Sequence, residues 1–161
     1  MFQKLSFEWE ENCFKNSPLL TIFSLIIKQD FTINNEHFID CDTIQNLTLG
    51  SKSKLLISES FLKSFEKINK VYLKGEKVII NESCIEDCNS LTYFEIIGSE
   101  LIHIGKNQFK NCNSLIKFFI NSSDVNGVIS LNVKIDEGCF NSCSSFQKLL
   151  ILKANIVNIK G

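Results

Sequence analysis

The stretch Ile80–Ile96, INESCIEDCNSLTYFEI, returns as IGKNQFKNCNSLIKFFI at Ile104–Ile120 and again as IDEGCFNSCSSFQKLLI at Ile135–Ile151. Self-similarity at a fixed period constrains a fold more than any local propensity, because each copy must adopt one structure and stack on the next. With Ile80 as position zero, apolar residues fall at −2, 0, +5, +8, +11, +14 and +16: Val78, Ile80, Ile85, Cys88, Leu91, Phe94 and Ile96. The same positions are filled by Ile102, Ile104, Phe109, Cys112, Leu115, Phe118 and Ile120, and then by Val133, Ile135, Phe140, Cys143, Phe146, Leu149 and Ile151.

Three earlier units keep the spacing. They run from Leu55 to Leu73, from Phe31 to Leu49 and from Phe7 to Leu25, and of the forty-two positions in all six units only Ser17 is polar. The zero positions are Trp9, Ile33, Ile57, Ile80, Ile104, Ile135 and Ile159, so the steps are 24, 24, 23, 24, 31 and 24 residues. The long step holds an insertion at about 121–128, NSSDVNGV, whose composition is that of a surface loop. The repeat beginning near 152 does not run to completion by residue 161. The expectation is a single solenoid domain over residues 1–161.

Within a unit, +14 and +16 alternate with their neighbours, as do −2 and 0, and this is the period of strands. Positions +5, +8 and +11 are three apart, which suits a short helix or a 3₁₀ turn. A single unit cannot bury its own apolar side. Stacked units cover one another and build a continuous core with a parallel ladder of strands. The fold class predicted is therefore a mainly parallel β solenoid with short helical or 3₁₀ turns, built of about six repeats of 23–24 residues.

The strand segment Leu91-x-x-Phe94-x-Ile96 resembles that of a leucine-rich repeat. The fuller pattern at Ile104, Gly105, Phe109, Cys112, Ser114 and Leu115 resembles the BspA-type leucine-rich repeat. Cys88, Ser90 and Leu91 carry it in one neighbouring unit, and Phe140, Cys143 and Ser145 in another. The likeness is strong from about Val78 to Ile151 and weaker before that. Phe65 and Ser17 replace the Cys in two units, and the proline common after the strand is missing. The resemblance implies a curved solenoid that binds other macromolecules without catalysis. Its relatives among bacterial and protist surface antigens imply a surface antigen or adhesin. An intracellular interaction scaffold, or a fragment of a longer repeat protein, is the alternative.

Candidate chemistry is weak beside the packing reading. Cys41, Cys88, Cys112 and Cys143 share position +8 with Phe65, so they read as small buried hydrophobes. The pairs Cys84/Cys88 and Cys139/Cys143 lie two repeats apart, about 10 Å at strand spacing, too far to share a zinc ion, and no metal or cofactor is expected. Stacked Cys88 and Cys112 are near enough to bridge, but parallel side chains rarely meet the dihedral a disulfide needs, and reduced thiols are favoured. His37 and His103 are expected to face solvent, and neither pairs with a nucleophile at a triad spacing. Acids recur before +5, as at Glu10 and Glu11, Glu82 and Glu86, and Asp136 and Glu137, in the manner of a solvated rim. No enzyme activity is expected.

Positions +13, +15 and +17 should point away from the core. On them Tyr72, Tyr93, Phe119 and Leu150 form an apolar band, with Lys70, Lys117 and Lys148 beside it and Glu95 within it. These eight residues are the candidate surface for a protein partner, since grouped exposed aromatics mark interaction sites. Net charge is −1 and arginine is absent, so neither nucleic acid nor an anionic membrane is expected as partner. The most apolar run, Leu19–Ile27, is too short to cross a bilayer as a helix, and acids precede it, which does not suit a signal peptide. Three Asn-x-Ser/Thr sequons, at Asn46, Asn81 and Asn121, bear on the protein only in a secretory setting. The first unit carries no visible polar cap and the last is unfinished, so a longer array, or association end to end, is the further expectation.

Overall fold

In the computed structural model, residues 17, 19–39, 41–58, 60–123 and 130–160 are described. Phe7, Trp9 and Phe14 of the first unit, Glu8, Glu10 and Glu11 beside them, and most of the insertion lie outside these residues. The chain winds into a parallel β-solenoid of about five turns with almost no helix.

Two ladders run the length of the stack. One joins β1 (Ile22–Ile27), β3 (Asn46–Ser51), the first half of β5 (Lys70–Ile80), the first half of β6 (Tyr93–Ile104), β7 (Lys117–Ser122) and β9 (Lys148–Leu152). The other joins β2 (Phe31–Ile33), β4 (Lys54–Ile57), the second halves of β5 and β6, β8 (Asn132–Ile135) and β10 (Ile156–Ile159). Every pairing is parallel, as a coil of like units demands.

The register follows the repeat phase. Position +14 stacks Phe23, Leu47, Val71, Phe94, Phe118 and Leu149. Position zero stacks Ile33, Ile57, Ile80, Ile104, Ile135 and Ile159. A slip of one residue would turn each column to the opposite face, so the columns lock the register. The 23-residue step has a local cause: pairing slips between Gly75 and Lys77, where β5 turns the corner with one residue fewer than β6.

The third side of each turn is a chain of tight turns three residues apart, as the spacing predicts. The amide at +8 donates to the carbonyl at +5 (Cys112 to Phe109, 3.0 Å), and that at +11 to +8 (Leu115 to Cys112, 3.0 Å). Among the described residues, only Asn35–Phe38 and Phe61–Ser64 close into 3₁₀ helix. Two positions of the repeat adopt left-handed backbone, both of them in the turns that begin at Ile80, Ile104 and Ile135. At +3 these are Ser60, Ser83, Asn107 and Gly138, and at +7 Asp87, Asn111 and Ser142. Asn, Asp and Gly tolerate this conformation better than other residues, which is why polar small residues punctuate the repeat there.

The side chains at +5 form one column. Phe38, Leu62, Ile85 and Phe109 are buried, and Phe109 stacks on the half-buried Phe140 with centroids 5.3 Å apart. A second aromatic knot gathers Phe23, Phe38, Phe61 and Phe65 edge to face. The insertion falls at the corner between β7 and β8. Asn121 and Ser122, expected within it, belong to β7, and residues 124–129 lie outside the described set.

Candidate interaction face

The first ladder turns +13, +15 and +17 outward, and the register decides which of these side chains meet. Lys70, Tyr93, Lys117 and Lys148 lie side by side in one row. Tyr72, Glu95, Phe119 and Leu150 form the next. Tyr93 thus stands diagonally between Tyr72 and Phe119, within reach of both across neighbouring strands. Its ring centroid is 5.4 Å from each. The Lys148 ammonium lies 5.6 Å from the Phe119 centroid, a cation–π distance.

The sequence leads one to expect exposed aromatics. In the structure Tyr72, Tyr93 and Phe119 are half-buried, because each covers a flank of the next, while Lys70, Lys117 and Lys148 stand out into solvent. The Tyr93 hydroxyl donates to Glu95 Oε2 at 2.7 Å. Burial, then this carboxylate, holds the Tyr93 phenol well above its usual range. Tyr93 therefore remains a neutral donor, and the one acid of the central rows is already engaged. Toward β1 the face changes character, with Thr48 and Asn46 followed by the exposed Ile22 and Ile26.

The thiols are structural donors. At +8, Cys112 Sγ donates to Ile85 O at 2.9 Å and Cys143 Sγ to Phe109 O at 2.8 Å, each reaching the +5 carbonyl of the preceding turn. At +4, Cys84 Sγ reaches Ser58 O at 2.9 Å and Asn81 O at 3.0 Å, and Cys139 Sγ reaches Asp136 O at 2.9 Å and Gly105 O at 3.1 Å. Gln108 fills the same place between them: its amide donates to Asn81 O and its Oε1 accepts from the Cys84 amide at 3.2 Å. In the turns that begin at Ile80, Ile104 and Ile135, corner carbonyls are thus satisfied by one donor side chain each, as buried polar groups require. Apolar periodicity is blind to this column. The signal that reveals it is a donor-bearing residue recurring at +4. The six described cysteines are free thiols. Members of each C-x₃-C pair serve different carbonyls, and among the described residues no group of three His, Cys, Asp or Glu side chains is placed to hold a metal ion.

His103 departs from expectation. It points outward, but into a cluster: Nε2 is 2.8 Å from Asp136 Oδ2 on the next turn, and Lys134 and Lys160 approach Asp136 Oδ1 at 3.3 and 3.5 Å. Asp136, expected on a solvated rim, is buried. The His103 hydrogen bond, then Lys134, holds its carboxyl below the ordinary value. His37, also expected to face solvent, is half-buried with Nδ1 3.3 Å from Asn34 O.

A model of the BspA type leucine rich repeat region, in six copies, matches residues 8–131. The chain belongs to the BspA-type leucine-rich repeat family. The matched region covers more than half of the chain and contains β1 to β7. Residues 132–160 continue the BspA-type coil, since β8, β9 and β10 pair in the same register as the strands before them. No curated protein and no solved structure matches the chain. Among the described residues, no helix is long and apolar enough to cross a membrane.

Proposed function

We propose that the chain is one solenoid domain over residues 1–161 that serves as a non-catalytic, protein-binding scaffold, with the outer face of the first ladder as its binding surface. The observation that carries this is the continuous stripe Tyr72–Tyr93–Phe119, two centroid steps of 5.4 Å across three turns, flanked by exposed lysines. A rigid ladder presents these side chains already ordered, so a partner does not bear the entropy of fixing them. Lys70, Tyr72, Tyr93, Glu95, Lys117, Phe119, Lys148 and Leu150 are the proposed contacts. The polar cluster about His103 and Asp136 ties β6, β8 and the end of β10 together, a structural role that supports the non-catalytic reading.

The BspA-type family includes surface antigens, and this supports a surface antigen or adhesin. The free thiols favour the other setting, an intracellular scaffold in a reducing compartment. Affinity capture with the wild type, Tyr93→Ala and Phe119→Ala tests the face: partners held by the wild type and lost by both variants support it, and equal recovery removes it. Labelling of intact cells with a membrane-impermeant reagent separates the two settings.

A further inference from the structure

The chemistry of the partner follows from the charge of the face. At the outward positions +13, +15 and +17 the six strands carry Lys70, Lys74, Lys117 and Lys148 against a single acid, Glu95, with the exposed Glu76 beyond Lys74 at the corner of β5. This positive excess stands on a chain whose net charge is −1. Glu95 is bound to the Tyr93 hydroxyl. Among the described residues, lysine ion pairs lie elsewhere, on Lys77, Lys106, Lys134 and Lys160, and the four face lysines form none.

Lys117 and Lys148 are direct ladder partners. Like charges opposite one another on adjacent strands destabilise a sheet. Here their backbones run about 4.8 Å apart at strand spacing, and among the described residues neither lysine has a carboxylate partner. An arrangement that sets like charges opposite one another and leaves their ammonium groups without a carboxylate fits an anionic partner.

Resting on the binding surface proposed above, we infer that the partner segment is an acidic polypeptide bearing aromatic or leucine side chains. Its carboxylates meet Lys70, Lys117 and Lys148, and its apolar side chains cover Tyr72, Phe119 and Leu150. A single-stranded nucleic acid shares the anionic character but fits less well. Such ligands stack bases on open ring faces, whereas these rings are packed against one another at tilts of 37–40° and Lys148 covers Phe119.

The test is selection of random displayed peptides on the wild type, followed by binding of the enriched peptides to two variants. One is Lys70→Glu/Lys117→Glu/Lys148→Glu, the other Tyr72→Ser/Phe119→Ser, and circular dichroism verifies that both are folded. The expected peptides combine Asp or Glu with Tyr, Trp, Phe or Leu. They bind the charge-reversed variant at least about tenfold more weakly and lose affinity as salt rises. Peptides that need Tyr72 and Phe119 but are not acidic, and bind the charge-reversed variant equally, overturn the acidic inference and leave the surface standing. Peptides indifferent to both variants, or no enrichment at all, overturn the surface as well. Tight binding of oligothymidylate at physiological salt, abolished by charge reversal, overturns the choice of a protein partner.

Discussion

His103 and Asp136 face each other at 2.8 Å across the junction of β6 and β8, although 33 residues separate them. The pair holds together the two turns that flank the 31-residue step, where the insertion leaves the first ladder. Because the Asp136 carboxyl is held below its ordinary value of 3.8, the folded state takes up that proton less readily than the unfolded chain. The stability this contributes is present above about pH 4 and is lost as the pH falls through the depressed folded value. Urea midpoints at about pH 5 and about pH 3 check this: Asp136→Asn should lose less stability between them than the wild type does. An identical loss in both proteins would place the acid sensitivity elsewhere.

The thiol columns carry a second expectation. Cys112 is fully buried and its Sγ donates to Ile85 O. Cys112→Ala leaves that carbonyl without its thiol donor and opens a small void, at a cost of about 1–2 kcal/mol. Cys112→Ser keeps a donor and should cost less than Ala. A larger cost for Ser would mean that the column is purely apolar packing. The Cys88 thiol first, and then burial, raises the Cys112 pKa, and burial pushes Cys139 and Cys143 up to about 11. Alkylation mapped by mass spectrometry should therefore find these three cysteines protected at about pH 8 in the native protein and modified once urea unfolds it.

The columns at −2, 0, +5, +14 and +16 were legible because each repeats one physical demand, burial against the turn on either side. What periodicity does not reveal is how side chains of neighbouring turns meet. Alternation along β6 turns His103 outward, but only the pairing of β6 with β8 brings it to Asp136. Strand alternation likewise places Tyr72, Tyr93 and Phe119 on one face, yet their mutual packing depends on the diagonal offset between rows. Gln108 was unreadable for another reason. A fully buried amide among apolar columns makes sense only once the corner carbonyl of Asn81 is seen to lack a ladder partner.

Gly105 illustrates a constraint of the same kind. The sequence marks it only as part of the BspA-type pattern, but its importance lies in its contact with the preceding turn. A Cβ there would stand 2.9 Å from Glu82 N and 3.0 Å from Ile80 O, both backbone atoms of the adjoining coil. Neither can yield without opening the ladder, and Gly105→Ala should cost about 1–3 kcal/mol. Gly138 differs: φ is +71°, and a Cβ would meet the Asn107 side chain at 2.5 Å, which can swing aside. Gly138→Asn, a residue that tolerates left-handed backbone, should cost less than Gly138→Val. Thermal unfolding of the three variants checks both statements.

At the far end of the coil the same columns lose their cover. Val157 and Ile159 continue positions −2 and 0, yet they are 46% and 50% exposed, whereas Val78 and Ile80 in mid-stack are fully buried. Among the described residues β10 pairs with β8 alone, so one side of it carries unpaired backbone groups and apolar side chains. Such an edge is where a further turn, or another chain, would stack. Val157→Thr/Ile159→Thr should therefore change the urea midpoint little, while Val78→Thr/Ile80→Thr, which buries two hydroxyls, should cost several kcal/mol. Sedimentation velocity of residues 1–161 over rising concentration should show self-association that the Val157→Thr/Ile159→Thr variant reduces. If that variant is as destabilised as the mid-stack one, the last turn is already covered in solution; if the wild type sediments as a monomer throughout, end-to-end association is excluded.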